Sequence, residues 1–251
     1  MKAIAIVGHS KTGKTTLCET LIRTLTARGY RVGSVKEIHA EGFSIDDPAS
    51  NTGRHRSAGA RTVIARGPAE TDVLLDHPIP HRQLLSYFDE DYVILEGVRD
   101  VPCPLIQSAA SPEDLPNPLD PRTVAVSGVI ANGGLREVQG LPVLNPLGDP
   151  DALADFVERT AFPPLPGVDP KSCGACGCDC MAFAGKIAHG AAQREDCVQY
   201  RQPVSITVGG RELHLVPFVE RIVKNAVLGL VRELDGYREH SEITVTIRED
   251  G

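Results

Sequence analysis

"IAIVGHSKTGKTTL", residues 4–17, starts as a strand and ends as a helix. Ala3 to Val7 is apolar and partly β-branched, the pattern of a short buried strand. Leu17, Leu21, Ile22 and Leu25 then recur at helical spacing over residues 15–27, which close at Gly29. Between these stretches Gly8, Gly13, Lys14 and Thr15 fill the pattern G-x-x-x-x-G-K-[ST]. Glycine lets the backbone curl so that successive N–H groups face one phosphate, and the helix N-terminus adds positive potential. Lys14 is expected to reach the β- and γ-phosphates of a nucleotide, and the Thr15 hydroxyl to bind Mg²⁺. Lys11, Thr12 and Thr16 complete the expected nucleotide-binding set. At His9 and Lys11 the backbone makes the contact and the side chain is free to face solvent.

Working outward, strand-like and helix-like stretches alternate. Residues 31–35, 61–65, 92–95, 123–130 and 141–144 read as strands, and 84–88 as a helix. Asp149 opens a further helix to about Arg159, with acidic residues where the dipole favours them. Alternation of this kind predicts an α/β domain around a mainly parallel sheet.

In such sheets the loops at the carboxyl ends of the strands line the ligand crevice. Glu96 follows the strand at 92–95 and is the expected carboxylate partner of Mg²⁺. Asp46 lies in the loop after the second strand, where it is placed to bind metal or position water. Arg54 and Arg56 follow and suit a phosphate or another anion.

The net charge of −7 argues against a general nucleic-acid binder. No apolar run approaches the ~20 residues that span a bilayer. The start, Met-Lys-Ala-Ile-Ala-Ile-Val, lacks the apolar core and cleavage site of a signal peptide, so a cytoplasmic protein is expected.

Five of the seven cysteines fall in "KSCGACGCDCMAFAGKIAHGAAQREDC", residues 171–197. In a reducing compartment such a cluster reads as a metal or redox site rather than a disulfide framework. The glycines of Cys173-Gly-Ala-Cys176-Gly let the backbone wrap closely and aim N–H groups at sulfur, which favours an iron–sulfur cluster over zinc. Cys180 opens a helix-like stretch, 181–189, where the dipole favours a thiolate. Cys173, Cys176, Cys180 and Cys197 are the expected ligands, with Cys178 open as the third in place of Cys180. Zinc and free or redox-paired thiols are the other readings. Residues 161–172 contain four prolines and read as a linker. Beyond the cysteines, residues 204–216 alternate around Gly209-Gly210 as a hairpin, 217–234 repeat as an amphipathic helix, and 242–248 alternate as a last strand. The expected regions are a nucleotide-binding domain at 1–162, a small helical iron–sulfur segment at 163–200 and a ββαβ unit at 201–251.

The phosphate loop, "VGSVKEIHAEGFSIDDPASNTGRHRSAGA" and "DYVILEGV" together resemble the molybdopterin-guanine dinucleotide biosynthesis protein B family. Lys36, His39, Phe43, Asp46, Pro48, Thr52, Arg54, Arg56, Ala58, Gly59 and Ala60 fill places comparable to the family's second-strand loop. Glu37 and Ala49 stand where the family has His and Gly. The resemblance covers about the first 160 residues and implies a phosphate-loop fold. It also implies a slowly hydrolysing GTP-binding accessory protein that helps a nucleotidyltransferase join GMP to molybdopterin, and it is compatible with a homodimer. The chain has no Asn-Lys-x-Asp, so GTP rather than ATP is implied by the resemblance alone. "CGACGCDCMAFAGKIAHG" resembles the four-cysteine [4Fe-4S] domain of corrinoid iron–sulfur proteins, with one residue fewer before the third cysteine. A second reading is a nucleotide-switched electron-transfer or cluster-carrier protein acting on a client metalloenzyme.

Overall fold

Strand β1 (Lys2–Val7) runs straight into the phosphate loop, and helix α1 (Lys14–Ala27) leaves it. The computed structural model describes residues 1–167, 173–174, 176–201, 204, 206–208, 211–213, 215, 217–237 and 243–247. The chain forms two compact units, Met1–Cys197 and Val198–Gly251.

The first unit is built on β1, β2 (Val32–Lys36), β5 (Tyr92–Glu96), β6 (Leu105–Ser108), β7 (Thr123–Ser127), β8 (Glu137–Val138) and β9 (Leu141–Leu144). These seven strands lie in the order β2-β5-β1-β6-β7-β9-β8. All pairs are parallel except β8 with β9. β1 lies at the centre, paired with β5 on one side and β6 on the other, and both of its faces are covered. Ile4 and Ile6 join Leu17, Leu21 and Leu25 of α1, and Leu153 and Val157 of α4 (Pro150–Thr160), in one core cluster. Ala3, Ala5 and Val7 belong to a second cluster with Val93, Leu95, Val98, Val101 and Leu105. A strand covered on both faces has to be apolar throughout, which accounts for the unbroken run at residues 3–7. Asp149 caps α4 by accepting from Ala152 N at 2.9 Å. Arg28, just past α1, holds α4 from outside through Asp151, Asp155 and Glu158 at 2.7–2.8 Å.

Several elements depart from expectation. The strand expected at 61–65 forms as β3 (Thr62–Arg66), outside the seven-stranded sheet. It pairs antiparallel with β4 (Thr71–Leu75), because a four-residue connection can only fold the chain back on itself. The region of Arg54 and Arg56, expected as a loop, is helix α2 (Asn51–Ser57), capped by Ser50 Oγ accepting from Gly53 N at 2.9 Å. The helix expected at 84–88 starts earlier, as α3 (His81–Leu85), with Pro80 at its N-cap.

The proline-rich stretch, expected as a linker, is packed. Ala3 N donates to Phe162 O at 3.1 Å and Leu165 N to Pro102 O at 3.0 Å. Ala161, Phe162 and Leu165 are buried. Helix α5 (Cys180–Ala188) follows, and its Gly185 lies against the carbonyl of Pro121, where an added Cβ would come within 2.9 Å. One residue on, buried Arg122 donates to Val101 O at 2.7 Å, to Arg99 O at 3.1 Å and to Asp120 Oδ2 at 2.7 Å. The loop after β5 is thereby tied to the start of β7.

In the second unit β10 (Ile206–Val208) pairs antiparallel with β11 (Arg211–Leu213), and helix α6 spans Pro217–Val231. The turn at 209–210 lies outside the described residues. Residues 243–247, within the last expected strand, carry no strand pairing. An alternating pattern becomes a strand only where an edge accepts it, and among the described residues β10 and β11 pair over three residues each. Phe218, Ile222 and Leu230 of α6 are exposed. Among the described residues no helix is long and apolar enough to cross a membrane.

Burial alone would raise the Asp120 pKa, but the hydrogen bonds and charge of Arg122 outweigh it and hold the carboxyl below its usual range. Its stabilising contribution is therefore present above the unfolded carboxylate pKa and is lost as pH falls through the lower folded value. Asp120→Asn is expected to destabilise the fold by about 1–3 kcal/mol at neutral pH. In urea unfolding the gap to wild type closes on acidification below about pH 4.

Candidate functional site

The phosphate loop leaves β1 at Gly8 and turns through Lys11, whose φ is 64°, into α1. Two glycines are required by close approach. A Cβ on Gly8 would stand 2.2 Å from Ser108 O, and one on Gly128 would stand 2.2 Å from Thr12 O. Gly128 also has a φ of 98°, which side chains rarely adopt. Between these contacts the Thr12 carbonyl accepts from Ser108 Oγ at 2.9 Å and from Val129 N at 3.0 Å. The ends of β6 and β7 thus hold the loop's curvature. Thr12 itself is buried, and its hydroxyl donates to His9 O at 2.9 Å.

A cleft of about 240 Å³ opens beside the loop, lined by Gly8, Ser10, Lys14, Lys36, Glu37, His39, Glu96, Gly97 and Arg99. Lys14 Nζ donates to His9 O at 2.5 Å. Burial lowers the Lys14 pKa and the charge of Lys36 adds to this, while Glu96 opposes it; the net direction is down. Glu96 closes β5 and is buried. Its Oε1 accepts from Thr15 Oγ1 at 2.9 Å and also from Lys36 Nζ. Burial would raise the Glu96 pKa, but the hydrogen bonds from Lys36 and Thr15, with the charges of Lys36 and Lys14, hold it below the ordinary range. An ionised carboxylate beside a hydroxyl is a donor pair suited to Mg²⁺. Below them, burial pushes the Cys18 thiol up to about 12, which leaves it a protonated packing residue of α1.

Of the residues expected at the site, Gly8, Lys14 and Glu96 line the cleft, and Thr15 reaches it through Glu96. Gly13 packs against Gly128, and Lys11 and Thr16 are exposed. Asp46, Arg54 and Arg56 do not line it. Asp46 Oδ1 accepts from Ser50 Oγ at 2.7 Å and Thr52 Oγ1 at 2.9 Å, which together with Arg56 hold its carboxyl low despite the opposing effect of burial. Arg56 donates to Ser44 Oγ at 3.2 Å. Lys36 and Arg99 line the cleft without having been assigned a role from sequence. The signal for Lys36 was its place as the last residue of a strand pairing in register with the strand that ends in Glu96.

None of the seven cysteines is in a disulfide. Cys176, Cys178 and Cys180 pack with buried Cys197, Phe162, Leu165, Phe183 and Ala184 in one apolar cluster. Partly exposed Cys173 is not among the residues of that cluster. Cys180 is the first residue of α5, behind Asp179, which caps the helix by accepting from Ala182 N at 2.7 Å. Cys176 Sγ donates to Cys178 O at 3.3 Å, and burial pushes its pKa up. Arg194 folds the segment onto the proline stretch by donating to Pro163 O at 2.9 Å and Pro164 O at 3.0 Å. Among the described residues no three metal-binding side chains stand close enough together to hold an ion. In kind the donors fit an iron–sulfur cluster: thiols only, four of the five in an apolar cluster and one of them at a helix N-terminus.

The strand–loop–helix, the Thr15–Glu96 pair and the sheet order define a phosphate-loop α/β protein. A family model described as molybdopterin guanine dinucleotide synthesis protein B matches residues 3–128, half of the sequence, and the chain belongs to that family. A second model, described as "Putative Fe-S cluster", matches residues 165–199. A Methanocaldococcus jannaschii protein named "Putative molybdopterin-guanine dinucleotide biosynthesis adapter protein" is 24% identical over 249 residues, 98% of this chain and 97% of its own. The molybdopterin-guanine dinucleotide biosynthesis adapter protein of Haemophilus influenzae is 30% identical over 161 residues, 62% of this chain and 87% of its own. In fold, the chain is similar to the crystal structure of Bacillus subtilis MobB, with a TM-score of 0.51 at 23% identity over 63% of this chain and 97% of that one.

Gly128→Ala is expected to lower the unfolding free energy by about 2–4 kcal/mol in urea titrations, since both backbone strain and the Thr12 carbonyl oppose a Cβ. Gly133→Ala, with open space around its Cβ, is the matched control and is expected to shift the midpoint little.

Proposed function

We propose that this chain is a GTP-binding adapter of molybdopterin guanine dinucleotide biosynthesis that also carries a [4Fe-4S] cluster. The observation that carries the first part is the cationic cleft of Lys14, Lys36 and Arg99 around Glu96, at the mouth of a phosphate loop. The family and the names of its relatives support the pathway. The expected partner is the nucleotidyltransferase that joins GMP to molybdopterin.

In this reading the chain has a nucleotide region at 1–162, a cysteine region at 163–200 and a tail at 201–251. The backbone of Gly8 to Thr16 and the Lys14 ammonium bind the phosphates. Thr15 and Glu96 would hold Mg²⁺, which would supply charge neutralisation at the phosphates. For Asp46 to orient a water there, its loop has to move toward the cleft, which it does not line, and Arg54 and Arg56 of α2 have to move likewise. Turnover without an arginine finger is slow. Cys173, Cys176, Cys180 and Cys197 are the proposed cluster ligands, with Cys178 the alternative third. The cluster supplies one-electron redox chemistry.

One observation favours the second reading, a nucleotide-switched electron-transfer or cluster-carrier protein. The loop that carries Gly97 and Arg99 into the cleft continues to Pro102, whose carbonyl accepts from Leu165 of the cysteine-lined cluster. A shift of that loop would therefore be felt at the thiols.

Anaerobic purification, with iron and acid-labile sulfide counted per chain, is expected to give about four of each and an EPR signal after reduction. One zinc with no sulfide would refute the cluster. An EPR signal that changes when GTP is added selects the second reading, and an indifferent signal the first. Lys14→Ala is expected to weaken GTP binding about 100-fold in fluorescence titration without altering the iron count.

A further inference from the structure

We infer that Lys36 is the counter-ion Glu96 holds until Mg²⁺ replaces it, and that its ammonium then serves the terminal phosphate of a bound nucleoside triphosphate. This inference rests on the phosphate-site reading above. The parallel register of β2 and β5 sets Lys36 directly opposite Glu96. Lys36 Nζ and Thr15 Oγ1 meet on the same oxygen, Glu96 Oε1. Thr15, the last residue of the loop motif, and Glu96, at the end of β5, are also the two side chains expected to hold Mg²⁺. A divalent cation and an ammonium repel at this range and compete for one oxygen.

The exchange is asymmetric. The Glu96 side chain is 8% exposed and cannot be left without a cation at low cost. The Lys36 side chain is 57% exposed, so its flexible stem is free to swing within the cleft it already lines. Lys14 is the loop's own phosphate ligand and donates to His9 O, which leaves Lys36 as a second ammonium for added negative charge. A triphosphate brings a γ-phosphate for Lys36 to bind and a diphosphate does not. Lys36 thereby becomes a residue that reads phosphate number.

The test uses the full chain and N-methylanthraniloyl derivatives of GTP and GDP, titrated by fluorescence over a range of Mg²⁺ concentrations. Lys36→Met is expected to weaken the triphosphate about tenfold, the loss of one charge-assisted hydrogen bond, and to leave the diphosphate unchanged. It is also expected to lower the Mg²⁺ concentration for half-maximal binding, because no ammonium competes for Glu96. Lys36→Arg is expected to restore the preference for triphosphate. Equal losses for both nucleotides, or no loss for the triphosphate, would overturn the inference. If binding is abolished by Lys14→Ala yet indifferent to Lys36→Met, the inference alone fails. If wild type binds neither nucleotide, the phosphate-site reading fails and takes the inference with it.

Discussion

The carbonyl of Thr12 is the point on which the nucleotide cleft is hung. It accepts from Ser108 Oγ and Val129 N, so the ends of β6 and β7 both grip the same peptide. The grip is close because Gly8 and Gly128 have no side chains to hold the strands apart. A loop that binds phosphate through backbone N–H groups needs those groups pre-aligned, since ordering them at the moment of binding would cost conformational entropy. Here the alignment is set by the sheet.

Charge is arranged around that frame with two acids, Glu37 and Glu96, among several bases. Glu96 is buried at the end of β5, and Lys14, Lys36 and Arg99 line the same cleft. Glu96 is kept ionised by its neighbours against the pull of burial. The surrounding wall is fixed from behind. Arg122 grips the carbonyls of Arg99 and Val101, and the proline stretch grips Pro102. The stretch between sheet and cysteines is thus part of the wall of the first unit.

What could be read in the sequence was whatever carries a local signature. The motif at Gly8–Thr15, the apolar run of β1, the carboxylate at Glu96 and the Asp149 cap each rest on neighbours within a few residues. What could not be read depends on partners far along the chain. β3 has a strand's composition, but only its short connection to β4 removes it from the parallel sheet. Lys36 has an ordinary place in the sequence and gains its meaning from register with β5. The prolines at 163, 164 and 166 rule out helix and central strand, as expected, yet they do not rule out packing, and Phe162 just before them and Leu165 among them are buried. Asp46 sits in a loop that should line the crevice, but Ser50 and Thr52 satisfy one of its oxygens locally.

The central place of β1 also governs the order in which this molecule can assemble. Ile4 pairs with Ile94, and Ala5 with Leu105, so β1 leaves the ribosome before its partners and must wait for them. Loop-closure entropy is spent before those long-range pairs return any stability, which makes such topologies slow to form. Until β5 and β6 exist, the strand has an unpaired apolar edge, a species prone to aggregation. The phosphate loop, although written in the first fifteen residues, is complete only after Val129 has been synthesised and docked.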